Sequence, residues 1–521
     1  MRNLRPASTL LFLIILAACG GGGGTSTPPA PGGGGQPPGG SPAPHSSSSA
    51  APTPTPTPGG GATPTPTPVP TTPGSGNTIL PNTSGRFGLT QILDWNGLQG
   101  GAQLTPSQIA QEAPNYDSVW GSFFPSQWSS AHPGMILSRY YLPNEDSYLI
   151  SGHDLAWWQA NHPDWVMYAC DGNNNPTQDV PWYGTHFHDV PLNIHNPAVV
   201  DYQVRSVANY LISNGYNTLA IDNVVFENYG MAPNPDLGEG NPITSKPAWY
   251  GCGVYTQPNF QGFQQIYYGG LDAADPTWIA DMKNWVATAR QVFNTDPTLA
   301  PYHLKIMINH PLFDASPDSD EQAVLSNVDA MVDENGFTHY DNYESPSYNY
   351  NVESLFSETL SWMEWAQSHN IAILLTDYYC EDGTNAYGQP CSNDPSTLTA
   401  KQVDWSLSTY ALGNNGGADV YISPNGGAAY SYRPEYATRL GAPCNNMSYQ
   451  IGSGNVYYRK FANALVVVNP NATGNGSPGP AVSYPLPAGH MYTDIEGRPV
   501  SNPLSIAAPD GYVLLTTNGC S

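Results

Sequence analysis

The stretch Asn217-Thr218-Leu219-Ala220-Ile221-Asp222-Asn223-Val224 decides how this chain is read. Ahead of it, from Asn196-Pro197 to Asn214-Gly215, the apolar residues Val199, Val200, Val204, Val207, Leu211 and Ile212 recur at helical spacing, and Gly215 supplies a helix stop. A few strand residues follow and end abruptly in Asp-Asn. α/β barrels hold their reactive groups in this way, on carboxylates delivered where a buried strand leaves the sheet. The alternative is an Asp that only caps the next turn.

Working outward, the same alternation recurs. Strands are expected at Phe87 to Asp94, Tyr116 to Gly121, Met135 to Leu142, Asn217 to Asp222, Leu304 to Asn309, Val328 to Asp333, Ile371 to Thr376 and Ala418 to Ser423. Helices are expected after Thr105-Pro106, around His153 to Asn161, from Asn196, from Trp278 to Phe293 and from Val352 to Asn370. Strands alternating with helices predict a closed (β/α)8 TIM barrel over residues 78–443. Within it, residues 229–274 read as a long excursion without regular structure, rich in aromatic rings, and such loops are usually functional. From Val456 short apolar runs alternate with Asn, Gly and Pro turns, which predicts a small antiparallel β-sandwich over 444–521, tied at its ends by Cys444 and Cys520.

The start of the chain has another character. Residues 1–19 read as an export signal, with Arg2 and Arg5 before the short apolar run Leu10 to Leu16. Leu16-Ala17-Ala18-Cys19 matches a lipobox, so lipidation is expected at Cys19, with the alternative of a plain secretory signal. Gly20 after the Cys leads to the expectation of an outer-membrane anchor, the protein facing the periplasm or the exterior. Residues 20–77 are almost entirely Gly, Pro, Ser, Thr and Ala, a composition that cannot offset its ordering entropy. Extended, such a tether reaches on the order of 150 Å.

Composition excludes several partners. With 15 Lys and Arg against 41 Asp and Glu, the formal net charge is −26, which argues against nucleic acid and anionic lipid surfaces. The 33 Tyr and 13 Trp provide flat, polar-tipped rings suited to sugar faces, or simply to packing. Of the seven Cys, the six beyond Cys19 are expected in disulfides: Cys170, Cys252, Cys380, Cys391, Cys444 and Cys520. Their spacing matches no zinc pattern, so neither metal nor cofactor is expected. Cys170 and Cys252 fall in neighbouring connections on one rim of the barrel, where they could bond and hold Trp249, Tyr250 and Tyr255 as a wall beside Asp222.

The strand ends present Asp94, Asp222, Glu334 and Asp377. Parity favours Glu334 over Asp333, because Ala330, Val332 and Glu334 fall in step, and it places Ala220 in step with Asp222. Asn309 ends the fifth strand. A barrel mouth holding several carboxylates and an amide suits glycosidic cleavage, which needs one carboxyl protonated and one ionised. The expected catalytic pair is Asp222 and Glu334, with Asp94, Asn223, Asn309, Asp377, Trp249, Tyr250 and Tyr255 contacting a carbohydrate substrate. For Asp94 and Asp377 the alternative is turn capping. A monomer is expected.

From Arg86 to about Thr517 the sequence resembles bacterial extracellular glycoside hydrolases of the hypothetical glycosyl hydrolase family 15 type, and more loosely the polygalactosaminidase-like barrels. The resemblance is carried by Asn161-His162-Pro163-Asp164-Trp165, Leu192-Asn193-Ile194-His195-Asn196-Pro197, Ala220-Ile221-Asp222-Asn223 and Val328-Asp329-Ala330-Met331-Val332-Asp333-Glu334. It implies a barrel with an Asp after the fourth strand and a Glu after the sixth as the acidic pair. Two departures stand out: Asn217-Thr218 replaces the family's Asp-Gly-like pair, and Asn335 separates Glu334 from Gly336. Two rival readings remain at this level. His186-Phe187-His188-Asp189 and His310 suggest a metal-dependent hydrolase. The same fold could also serve a non-catalytic surface carbohydrate-binding lipoprotein.

Overall fold

A computed structural model describes residues 79–94, 104–171, 175–181, 189–226, 251–268, 275–309, 317–334, 336–338, 352–379, 394–424, 432–444, 449–471 and 479–520. The segments expected as export signal (1–19) and tether (20–77), with Cys19, and also Trp249, Tyr250, Cys380 and Cys391, lie outside these residues. Eight parallel strands form one sheet in chain order: β1 (Thr90–Ile92), β2 (Ser118–Trp120), β3 (Ile136–Tyr141), β4 (Thr218–Ile221), β5 (Lys305–Asn309), β6 (Ala330–Asp333), β7 (Ala372–Tyr378) and β8 (Ala418–Ser423). A parallel bridge between Leu89 and Val420, with the Val420 amide donating to the Gly88 carbonyl at 2.9 Å, joins the two edges and closes the barrel.

Helices α1 (Pro106–Glu112), α2 (Pro125–Ala131), α3 (Pro197–Asn214), α4 (Pro276–Thr295), α5 (Ser319–Leu325), α6 (Val352–Ser368) and α7 (Ala400–Gly413) connect the strands. Their starts follow the local chemistry. Thr105 and Gln108 form a capping box ahead of Pro106. The Asn196 side chain accepts from the Ala198 amide, and α3 stops at Gly215 with φ 81°. Three of these helices lie outside the sequence expectation: α2 and α5, whose seven residues are too short to display a helical period, and α7, which is buried on nearly every side from Val403 to Gly413 and so has no polar face to mark its period.

Side-chain parity sorts the core into two layers. Ile92, Trp120, Ala220, Met307, Ala330, Val332, Ala372, Leu374 and Tyr421 fill the barrel interior. Leu219, Ile221, Ile306, Ile308, Met331, Ile373 and Leu375 pack under the helices. One boundary differs from expectation. β7 pairs with β8 as far as Tyr378 opposite Ser423, so Asp377 lies inside the strand, not after it, and shares the helix-facing parity of Leu375.

After β8 the chain adds antiparallel sheets packed on the barrel's outer core. Strands β9 (Gln450–Ile451), β10 (Tyr457–Phe461), β11 (Ala464–Asn469) and β14 (Asp510–Leu515) make an antiparallel sheet, and β12 (Val482–Tyr484) pairs with β13 (Leu504–Ile506). One sheet face places Val466, Val468 and Val513 in the barrel's outer core, and the other holds Val456, Leu465, Val467 and Leu514 against Tyr484 and Ile506. The Arg459 guanidinium donates to the carbonyls of Ala411, Leu412 and Asn414 at the end of α7. Cys444 is bonded to Cys520.

The described part of the excursion after β4 corrects the expectation of an irregular loop. Residues Gly253–Gln257 and Gln261–Gln265 form a hairpin. Its base is held to the excursion after β3 by the Tyr168 amide on the Gly253 carbonyl, the Cys252 amide on the Tyr168 carbonyl, and the Cys170–Cys252 bond with Cα atoms 5.9 Å apart. Tyr255 turns into a small core with Trp158, Val166, Tyr168 and Leu192, and its hydroxyl donates to the Thr177 carbonyl at 2.9 Å.

Candidate active site

At the C-terminal ends of the strands, a small open pocket is lined by Ile92, Leu93, Trp120, Tyr140, Asp222, Asn309, Val332, Glu334, Thr376 and Tyr378. Backbone periodicity places the polar groups there. Asp222 continues the inward parity of Ala220 past the end of β4, Asn309 continues that of Met307, and Glu334 that of Val332. Asp222 is buried, while part of the Glu334 side chain reaches the surface.

The carboxylates are joined by one amide. Asn309 Nδ2 donates to Asp222 Oδ1 at 2.8 Å and to Glu334 Oε2 at 2.7 Å. Two such bonds from one nitrogen hold those oxygens within about 5.5 Å of each other, the short end of the separations found in glycosidase pairs. The second oxygen of Asp222 accepts from Tyr140 Oη at 2.5 Å. The Asn223 amide also donates to Asp222, and Asn223 itself adopts φ 53°, a conformation Asn tolerates better than most residues. The Asn223 side chain is absent from the pocket lining, so its contribution is through the backbone. Thr376 Oγ1 donates to the Glu334 carbonyl and pins the turn that carries this acid.

The two acids are in unequal surroundings. Burial lifts the pKa of Asp222, and the donors Tyr140, Asn309 and the Asn223 amide oppose that lift by favouring its charged form. Burial also lifts Glu334, and the charges of Asp222 and Asp333 add to it against the single Asn309 bond, so its pKa is pushed up to about 8. The donors to Asp222 favour its charged form, whereas Glu334, with its pKa pushed up to about 8, favours the protonated form at neutral pH.

Other expected site residues are placed elsewhere. Asp94 is fully engaged by Ser122 Oγ at 2.7 Å, the Phe123 amide at 2.6 Å, the Phe124 amide at 3.2 Å and Trp128 Nε1 at 2.8 Å, so it fastens the start of α2 and does not line the pocket. Asp377 faces the helices and accepts from the Phe337 amide at 2.8 Å, and burial raises its pKa to about 6. Turn anchoring, the alternative weighed for both residues, is what their contacts provide. Tyr255 lies in the side core, away from the pocket lining, because hairpin pairing turns its ring inward. His186, His188 and His310 fall outside the described residues. The sequence reading missed Trp120, Tyr140, Thr376 and Tyr378. Parity could have found them, since each lies on the inward face of its strand.

Gly336 links the two acidic strand ends. Its φ is +46°, its amide donates to Asp333 Oδ1 at 3.1 Å, and a Cβ there would lie 2.2 Å from Asp377 Oδ1. Gly336→Ala is therefore expected to lose about 2–3 kcal/mol of stability in urea unfolding and to displace Glu334, lowering any turnover in parallel. An unchanged unfolding midpoint would count against this geometry.

No family model matches the chain, and no curated protein matches it. Solved structures do. A noncanonic maltogenic alpha-amylase from Thermotoga neapolitana is 10% identical, over 82% of this chain and 98% of that one, with a TM-score of 0.41. An Anoxybacillus alpha-amylase is 11% identical, over 84% of this chain and 99% of that one, with a TM-score of 0.37. The GH36 alpha-galactosidase AgaA from Geobacillus stearothermophilus is 11% identical, over 84% of this chain and 56% of its own length, with a TM-score of 0.37.

Proposed function

We propose that this protein is a glycoside hydrolase that cleaves O-glycosidic bonds of an extracellular poly- or oligosaccharide by double displacement. The observation that carries the reading is the pair Asp222 and Glu334, bridged by Asn309 within about 5.5 Å and unequal in charge preference. Glu334 gives its proton to the glycosidic oxygen as that bond breaks. Asp222 attacks the anomeric carbon and forms a glycosyl ester. A water then replaces the aglycone, Glu334 takes its proton, and the sugar leaves with Asp222 restored as a carboxylate. Trp120, Tyr140 and Tyr378 supply ring faces and edges against which a pyranose can pack. Lipidation at Cys19 and the 20–77 tether would hold the barrel at the cell envelope while letting it reach polymer beyond it.

The test is incubation with a polysaccharide panel, reading new reducing ends, followed by Asp222→Ala with added azide. Double displacement predicts that azide restores turnover and yields a glycosyl azide of inverted configuration, because a small anion fills the space of the lost carboxylate. Binding of a glycan with no cleavage by the unaltered protein would instead favour the surface carbohydrate-binding reading.

A further inference from the structure

We infer that Tyr140 is the positioning residue that decides which of the two carboxyls is held ionised, and hence which acts as nucleophile; the inference rests on the double-displacement reading above. The bridge between the acids cannot make that choice. Asn309 donates to Asp222 at 2.8 Å and to Glu334 at 2.7 Å, so its two N–H groups serve both carboxyls almost equally. The asymmetry lies on the other side of Asp222, where Tyr140 Oη donates at 2.5 Å to the oxygen that Asn309 does not touch. A phenol has one proton, and donating it favours the charged carboxylate over the neutral acid. Among the described residues Glu334 has no matching donor, and Asp333 stands beside it as a further negative neighbour.

The barrel register explains why Tyr140 is placed for this task. In the β3–β4 ladder Tyr140 pairs with Ala220, and Ala220 and Asp222 share the inward parity. The ring therefore rises from the rung below Asp222, and it packs against the interior cluster, which limits its freedom to turn away. The Asn223 amide also supports Asp222, but it is main chain and stays whatever side chain occupies position 140. Tyr140 is thus the replaceable part of the asymmetry. Its bond is also charge-assisted, which makes it worth more than a neutral one.

The test is an infrared titration of the full-length protein, with the Asp222 and Glu334 carboxyl bands assigned by their loss in Asp222→Asn and Glu334→Gln. In Tyr140→Phe the Asp222 midpoint is expected to rise by about one pH unit, and the Glu334 midpoint to fall as its neighbour's charge is lost. The two values converge, a signature that loosened packing would not produce. Tyr140→Gln keeps a donor and is expected to restore part of the separation. In kcat/KM the acid limb of Tyr140→Phe should move up with the Asp222 midpoint. Unchanged midpoints, midpoints that move together, or a Tyr140→Phe protein that fails to fold would overturn the inference. If the midpoints converge while the unaltered protein cleaves no glycan, Tyr140 still sets which carboxyl is ionised, and its choice of nucleophile falls with the glycosidase reading.

Discussion

Asp222→Ala is expected to abolish turnover of every substrate the protein accepts, and Glu334→Gln to lower it by about 10²–10⁴-fold, least for substrates whose leaving group needs no proton. The pH dependence should separate the two roles. Glu334 has its pKa raised to about 8 by burial and by the charge of Asp222, so it holds its proton below that value. Activity is expected there and should be lost as pH rises through about 8. On the other side the proposed role of Asp222 requires it ionised, and burial lifts its pKa above the ordinary carboxylate value. Activity is therefore lost as pH falls through that raised value. The kcat/KM profile is expected to be bell-shaped, with the alkaline limb missing in Glu334→Gln. An alkaline limb that persists in that variant would remove Glu334 from the role of acid.

Removing the Cys170–Cys252 bond, by replacing both residues with Ser, is expected to unfold the side lobe locally without dismantling the barrel. The bond closes 82 residues of chain, so its loss should cost about 4 kcal/mol if chain entropy dominates. The lobe it holds has a small core of its own, around Trp158, Tyr168 and Tyr255, and depends on the clasp more than the barrel does. Protease cleavage within 251–268 should appear well below the main melting transition, while KM for short oligosaccharides changes little, because Tyr255 points into that core and not into the pocket. A single, unaltered transition with no new cleavage would show that the hairpin is held by its backbone pairing alone.

At Gly336 local pattern meets long-range contact. Sequence pattern locates a glycine two residues after Glu334. Only the fold reveals that Asp377, from the neighbouring strand, occupies the space a side chain would need. The same division applies to the acids. The alternation Ala220/Asp222 and Val332/Glu334 points both carboxyls inward, because strand periodicity is a property of neighbouring residues. Asp94 and Asp377 also sit near strand ends; parity with Leu375 already turns Asp377 towards the helices, whereas nothing local sets Asp94 apart from the first two. What separates them is partners from other elements: four donors from the β2–α2 segment around Asp94, and the Phe337 amide on Asp377.

By itself the sequence determined the alternation of strands and helices, the capped starts of α1 and α3, the eight-stranded barrel with an antiparallel unit after it, and the inward direction of Asp222, Asn309 and Glu334. These rest on hydrophobic period and on capping chemistry, both legible within a few residues. Tertiary structure alone decided that β7 runs on through Asp377, that Tyr255 is buried in a side core, and that Tyr140 and Asn309 share out the oxygens of Asp222. Those outcomes depend on register between strands distant in the chain and on which polar groups arrive at one buried point, and a hydrogen bond between residues 82 or 87 positions apart leaves no local periodic signal.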